Sequence, residues 1–333
     1  MAEVLRGALD VRLLALALLF ACAPTAAPAA APGSSPTGAG PAVAEDSPQP
    51  TTPAAQPASP AVNPSPPPTV SQVAQPNSPT AIDPLVFDAH VHYNRDAWAA
   101  YPPERVLEIL VRSGVQRALV SSTPDDGTLR LYDLAPDIVV PILRPYRGPG
   151  DASSWTRDGT IVPYVESRYR RAVHRGIGEI HLYPGESEFP TVRAIVGLAV
   201  RESLVLQIHA DDRAIEEVMR GPAAGTRVLW AHAGQTASPE SVLRLLERYP
   251  ALWVELSGRL DVAPDGRLDP AWRDLFVRHP DRFLVGTDTW INEQWEAMPD
   301  LRARDRGWLA QLPADVAARI ASGNALTLFP PQR

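Results

Sequence analysis

The chain contains no lysine and a single cysteine, Cys22, among its 333 residues. The 31 residues counted as lysine or arginine are therefore all arginines, which excludes mechanisms that need a Schiff-base or carboxylated lysine. One cysteine cannot form a disulfide framework or a thiolate metal site. The formal net charge of −7 lacks the basic excess of nucleic-acid-binding surfaces, so we expect no nucleic-acid partner.

Residues 1–22 have the pattern of an export signal. Arg6 and Arg12 precede the apolar run LLALALLFA at residues 13–21, which is too short to span a bilayer and has the length of a signal-peptide core. The run ends in LFAC at residues 19–22, which resembles the bacterial lipoprotein cleavage box. We therefore predict export to the periplasm or cell envelope and a membrane anchor through lipidated Cys22. The alternative is an ordinary signal peptide cut near APTAA at residues 23–27.

Residues 23–80 hold 16 of the 37 prolines, only two charged residues and no aromatic residue. A segment of this composition cannot form a core, and it predicts a disordered Ala/Pro/Ser tether biased toward polyproline II. Its reach is roughly 40 to 180 Å between random coil and full extension. The remaining residues 81–333 suit one compact α/β domain that binds a small-molecule substrate, and the sequence sets no oligomeric state.

Within residues 81–333, short apolar runs alternate with amphipathic ones. The predicted strands are residues 85–92, 116–121, 138–143, 178–182, 204–210, 227–231, 252–256 and 282–287. The clearest predicted helices are residues 104–112, 162–175, 192–202, 214–220, 239–249 and 270–279. Eight such units predict a (β/α)8 TIM barrel, although a doubly wound sheet gives a similar alternation.

Polar side chains cluster at the carboxyl ends of five predicted strands, where barrel enzymes carry their catalytic residues. In chain order they are Asp88, His90, His92, Glu179, His181, His209, His232 and Asp288. Unpaired polar groups in buried strands cost several kilocalories, and a bound metal ion compensates for that cost. Imidazole and carboxylate donors without thiolate suit Zn²⁺, Mn²⁺ or Fe²⁺.

This ordered set resembles the amidohydrolase superfamily of metal-dependent TIM-barrel hydrolases over roughly residues 85–329. The pattern is His-x-His on strand one, His on strands five and six, and Asp on strand eight. The sequence SGNA at residues 322–325, followed by Leu328 and Phe329, resembles the branch that includes carboxymuconate-semialdehyde decarboxylases and dicarboxylate lactonases. The resemblance implies a metal-dependent hydrolase that activates water to cleave an amide, ester or lactone bond.

The resemblance also implies roles for individual residues. His90 and His92 bind one metal with Asp288, which also serves as acid and base. His209 and His232 bind a second metal or, in one-metal members, supply one ligand and one catalytic, substrate-facing imidazole. Glu179 stands where two-metal members often have a carboxylated lysine and where TatD-like relatives have glutamate. We therefore favour two divalent ions over one, with Zn²⁺ preferred. The alternative is that Glu179 orients His209 or His232 beside a single ion.

Three further residues are predicted to contact substrate. His181 shares a strand face with Glu179, which indicates contact with substrate or metal. Arg144 follows strand three and is placed to clamp a substrate carboxylate, or else to pair with an acidic neighbour. Ser257 ends strand seven, where it is expected to reach the substrate.

Three more polar residues are expected to have structural roles. Asp88 is expected to organise the barrel floor beneath His90. His174 and His279 are predicted on outer helices as surface or capping residues.

Two other functions remain open beside the hydrolase. One is a one-metal decarboxylase or hydratase of the same superfamily, and the other is a non-catalytic tethered binding lipoprotein. A complete ligand set argues against the binding protein, because a decayed site is expected to lose a member. Glu179 separates hydrolase from lyase, because the decarboxylase relatives use one metal without a bridging glutamate.

Overall fold

The computed structural model of the protein describes residues 85–171 and 173–331. The predicted signal peptide, the tether and Cys22 lie outside these residues. Among the helices in the described part of the chain, none is both long and apolar enough to cross a membrane.

Eight parallel strands form one sheet in which each strand pairs with the next in sequence. The strands are β1 (Val86–Val91), β2 (Val115–Val120), β3 (Val139–Leu143), β4 (Gly176–His181), β5 (Val205–His209), β6 (Val228–Trp230), β7 (Leu252–Glu255) and β8 (Phe283–Leu284). Backbone hydrogen bonds from Ala89 to Val285 (2.9 Å) and from Asp288 to His90 (2.8 Å) join the first and last strands. The sheet is therefore a barrel and not a doubly wound open sheet.

Within residues 85–171 and 173–331, eight α-helices lie between successive strands, and three more follow the last strand. They are α1 (Pro103–Arg112), α2 (Asp126–Leu134), α3 (Asp151–Ser154), α4 (Ile161–Tyr169), α5 (Pro190–Arg201), α6 (Asp212–Arg220), α7 (Pro239–Arg248), α8 (Pro270–Arg278), α9 (Asn292–Leu309), α10 (Ala314–Ala318) and α11 (Asn324–Leu328). The six predicted helices correspond to α1 and α4 to α8. Helix α4 ends six residues before its predicted end, and α2, α3, α9, α10 and α11 were not predicted.

Helix α11 closes the amino-terminal end of the barrel. Leu328 and Phe329 join an apolar cluster with inward residues of six strands, and the Phe329 ring stacks on Phe87 at 6.3 Å. The Asn324 amide donates to the carbonyls of Pro280 (2.9 Å) and Phe283 (2.8 Å), which fixes the helix under β8. The SGNA sequence therefore begins the helix that closes the end of the barrel opposite the polar strand ends.

Candidate metal centre

The carboxyl ends of the strands bring the predicted ligands together in two adjoining groups. In the first group, the Nε2 atoms of His90 and His92 lie 3.1 Å apart. Glu179 Oε2 lies 3.5 Å from His90 Nε2 and 3.3 Å from His92 Nε2. Asp288 Oδ1 approaches the same two nitrogens at 3.5 Å and 3.3 Å. Four donor atoms from β1, β4 and the end of β8 thus surround one point.

The second group forms on the other oxygen of the same glutamate. Glu179 Oε1 lies 2.8 Å from His209 Nδ1 and 3.2 Å from His232 Nε2. His181 stands beside this group, with its ring 4.5 Å from that of His209 and its side chain 19% exposed. Glu179 therefore faces one histidine group with each of its carboxylate oxygens.

Hydrogen bonds behind the imidazoles fix which ring nitrogen faces the centre. The Nδ1–H groups donate to Glu255 Oε2 from His90 (2.9 Å), to the Ser121 carbonyl from His92 (2.9 Å) and to the Ser257 carbonyl from His232 (3.1 Å). With Nδ1 protonated, each Nε2 presents its lone pair to the centre, which is the tautomer that a metal ligand needs. The donor set and its tautomers therefore fit a divalent ion.

The two carboxylates of the centre are held in their charged forms. Burial opposes ionisation of Glu179, but electrostatic interactions with His90 and His181 and close contacts with His209 and His232 hold its pKa well below the usual range. Burial likewise opposes ionisation of Asp288, but His90 and His92 lower its pKa to about 2. Both carboxylates are therefore available as anionic ligands for a cation.

Two of the predicted ligands have left-handed backbone conformations. His232 has φ 56° and Asp288 has φ 49°. For residues other than glycine this conformation costs about 1–3 kcal/mol, and such strain is concentrated at functional sites. Just before Asp288, Gly286 packs so closely on Glu255 and the Cβ of His90 that a side chain there would collide with them.

Glu255, at the end of β7, is part of the centre although it is not among the residues predicted to bind metal or substrate. Its carboxylate is fully buried and accepts hydrogen bonds from His90 Nδ1 (2.9 Å), the Ser257 hydroxyl (2.9 Å) and the backbone amide of His232 (3.4 Å). Glu255 thus orients ligands of both groups. The only sequence signal was its place at a strand end on the same face as Ser257.

Two residues predicted to contact substrate are instead behind the metal ligands. Ser257 is only 2% exposed, and its hydroxyl donates to Glu255 and lies 2.9 Å from His232 Nδ1. Arg144 is 7% exposed, and its guanidinium donates to Glu179 Oε2 (2.9 Å) and to the Glu179 carbonyl (3.2 Å). For Arg144 this is the pairing with an acidic neighbour that the sequence left open, and for both residues a contact with substrate stays a prediction.

The structure agrees with the expected roles of Asp88 and His279 and contradicts the position predicted for His174. Asp88 accepts from the amide (2.9 Å) and hydroxyl (2.8 Å) of Thr287 and so ties β1 to β8 beneath Asp288. His279 is the C-cap residue of α8. The predicted position of His174 on an outer helix is wrong, because α4 ends at Tyr169. His174 is instead buried, with Nε2 3.0 Å from Asp125 Oδ1.

Comparisons with known proteins agree with this fold and centre. The family model described as amidohydrolase matches residues 166–330, which contain Glu179, His209, His232 and Asp288. No curated protein sequence matches the chain.

Solved structures resemble the chain in fold. A Pseudomonas putida protein assigned as a 2-pyrone-4,6-dicarboxylic acid hydrolase is 16% identical with a TM-score of 0.53, over 75% of this chain and 99% of that chain. A TatD homologue from Escherichia coli is 19% identical with a TM-score of 0.52, over 73% and 97%. A TatD-family hydrolase from Entamoeba histolytica is 11% identical with a TM-score of 0.52, over 76% and 100%.

Fold, centre and family model together define a TIM-barrel enzyme of the metal-dependent hydrolase class. The family-model match and the fold support its assignment to the amidohydrolase superfamily.

Proposed function

We propose that the protein hydrolyses an amide, ester or lactone bond of a small molecule at a centre of two divalent ions, with Zn²⁺ preferred. The observation that carries this proposal is the position of Glu179. Its Oε2 belongs to the group of His90, His92 and Asp288, and its Oε1 belongs to the group of His209 and His232. A carboxylate with one oxygen in each group is suited to bridge two cations.

The bound ions would supply Lewis acidity, lowering the pKa of a water molecule toward neutrality and drawing charge from the substrate carbonyl. A side chain of the protein would transfer the proton. Asp288 turns Oδ1 toward His90 and His92, while its Oδ2 lies 3.9 Å from His232 Nε2. This second oxygen is free to take the proton of the attacking water and to pass it to the leaving nitrogen or oxygen. The lowered pKa of Asp288 keeps it in the carboxylate form, which is able to accept that proton.

A one-metal decarboxylase or hydratase is the alternative at this centre. Such an enzyme would use His209 and His232 as one ligand and one substrate-facing imidazole, and it needs no glutamate between the two groups. The contacts of Glu179 Oε1 with His209 and His232 therefore favour the hydrolase. A tethered binding protein would need neither group.

Metal analysis tests the proposal. We expect the purified protein to hold about one to two divalent ions per chain by elemental analysis, with two favoured by the bridging carboxylate. Chelation should abolish hydrolysis across a panel of N-acyl amino acids, aryl esters and small lactones, and added Zn²⁺ should restore it. Full hydrolytic activity in a metal-free preparation would contradict the mechanism.

We further propose that the enzyme is exported to the periplasm or cell envelope and anchored by a lipid on Cys22, with residues 23–80 as a tether. The support is the signal-like run that ends at this cysteine. Cys22→Ser should move the protein from the detergent phase to the aqueous phase, because the acyl chains provide the membrane affinity. Thr25→Ser is the control. A wild-type protein already in the aqueous phase would refute the anchor.

A further inference from the structure

His181 is held by the loop that follows β3 and not by the metal ligands. The Tyr146 ring stacks parallel to its imidazole, with centroids 6.0 Å apart and an interplanar angle of 7°. The hydroxyl of Tyr146 contacts His181 twice, at the backbone amide (2.9 Å) and at Nδ1 (3.1 Å). The indole of Trp155 donates to the His181 carbonyl at 2.9 Å. These contacts fix both the backbone and the ring.

The two contacts of the Tyr146 hydroxyl assign the tautomer of His181. The His181 amide can only donate, so the hydroxyl oxygen accepts from it and retains its own proton. Tyr146 is 1% exposed, and among the described residues the other polar atom in contact with its hydroxyl is His181 Nδ1 at 3.1 Å. Leaving that buried proton unbonded would cost free energy, so Tyr146 donates to Nδ1. A neutral imidazole that accepts at Nδ1 carries its proton on Nε2.

His181 therefore differs from the three histidines whose partners were described above. The Nδ1 atoms of His90, His92 and His232 all donate to acceptors behind them, so that their Nε2 lone pairs face the centre. His181 has the reverse arrangement and presents an N–H. Its Nε2 lies 3.9 Å from Glu179 Oε2, which is beyond hydrogen-bond distance.

We propose that His181 is a substrate-binding donor, not a metal ligand, and that Tyr146 sets its tautomer so that the Nε2–H bonds an oxygen of the reacting group. The inference rests on the hydrolytic function proposed above and assigns a residue to it. The oxygen of a scissile carbonyl gains negative charge as it becomes tetrahedral, and a fixed donor is worth most where charge develops. His181 is 19% exposed on its side chain and stands beside His209, where that oxygen would approach the second group.

The tautomer can be observed directly in the full-length, Zn²⁺-loaded protein labelled with ¹⁵N-histidine. Long-range ¹H–¹⁵N spectra resolve the seven histidines, and His181→Gln identifies the signals of His181 by their loss. We expect a neutral ring protonated at Nε2 in the wild type. Tyr146→Phe should shift it toward the Nδ1–H form, because the donor to Nδ1 is gone. An Nδ1–H ring with metal-bound Nε2 in the wild type would overturn the proposal.

Ligand binding supplies a second readout. Methylphosphonate is the probe, because its tetrahedral oxyanion resembles the hydrolytic adduct. His181→Ala should weaken its binding about 10-fold, since a hydrogen bond to a charged group is lost. His181→Gln should retain most of the affinity, because its amide N–H takes the position of Nε2–H. Bound ion counts should match the wild type in both variants.

The outcomes are distinguishable from those for the proposed function. Equal methylphosphonate affinity in wild type and His181→Ala, or loss of an ion in His181→Gln, would overturn the role of His181. Either result would leave the hydrolase standing. An absence of metal-dependent hydrolysis in the wild type would instead overturn the proposed function, whatever the tautomer of His181.

Discussion

Glu179→Gln is expected to reduce the bound metal from about two ions per chain to about one and to remove most hydrolytic activity. The substitution preserves size and removes the negative charge that offsets repulsion between two cations. The hydrogen bond from Arg144 to residue 179 determines which ion remains. Its Nη2 needs an acceptor at the Oε2 position, so the glutamine oxygen should stay there and its amide nitrogen should face His209 and His232. An amide N–H₂ cannot bind a cation, so the second ion is lost.

Glu166→Gln is the matched control, because Glu166 is an exposed glutamate on α4. Elemental analysis and activity of the wild type and both variants should be measured side by side. If Glu179 only orients His209 or His232, the ion count will not change and activity will fall by about 10 to 100-fold, as for other residues behind the ligands. Equal ion counts in wild type and Glu179→Gln would thus reject the bridging role and favour the one-metal lyase.

Sequence reasoning predicted the barrel and its ligands because both leave periodic local signals. All eight predicted strands are present, and their boundaries shift by a few residues at most, because buried parallel strands are apolar runs bounded by turns. His90, His92, Glu179, His209, His232 and Asp288 meet because the carboxyl ends of barrel strands share one face. Position along a strand was sufficient information for these six.

The partners of those ligands could not be predicted in the same way. Whether a strand-end side chain points to the mouth or behind the imidazoles depends on barrel stagger and on neighbouring strands. Arg144 was expected to contact either substrate or an acidic neighbour, and only the structure shows that its guanidinium donates to Glu179 on the adjacent strand. Ser257 was expected at the mouth, but its hydroxyl turns to Glu255 two residues earlier. Glu255 itself reaches His90 across a sequence separation of 165 residues, which no local pattern reports.

The missed and overextended helices have local causes. Helix α9 contains Pro299 and buries Arg302 and Asp305 beside its tryptophans, so it lacks a clean apolar stripe. Helix α4 was extended through the basic residues after Tyr169, which continued the amphipathic pattern without a glycine to end it. His174 was consequently placed on a surface helix, whereas the chain has already turned inward toward Asp125.

Asp288→Asn is expected to lower kcat by about 10³-fold at saturating Zn²⁺ while the protein stays folded. Asparagine tolerates the left-handed backbone at φ 49°, and the amide hydrogen bond from residue 288 to the His90 carbonyl involves only main-chain atoms. The change therefore removes charge and basicity with little effect on shape. An amide cannot accept and return the proton of the attacking water, so the chemical step should slow even when metal is restored by mass action.

Two measurements separate the proton-transfer role of Asp288 from its role as a ligand. Zn²⁺ titration should show weaker binding at the first group, because Asp288 Oδ1 no longer offers charge beside His90 and His92. Activity at saturating Zn²⁺ should nevertheless remain low. Asp300→Asn, at an exposed aspartate of α9, is the control and should match the wild type in both measurements. Recovery of wild-type kcat at high Zn²⁺ would show that Asp288 only binds metal, and another group would then have to carry the proton.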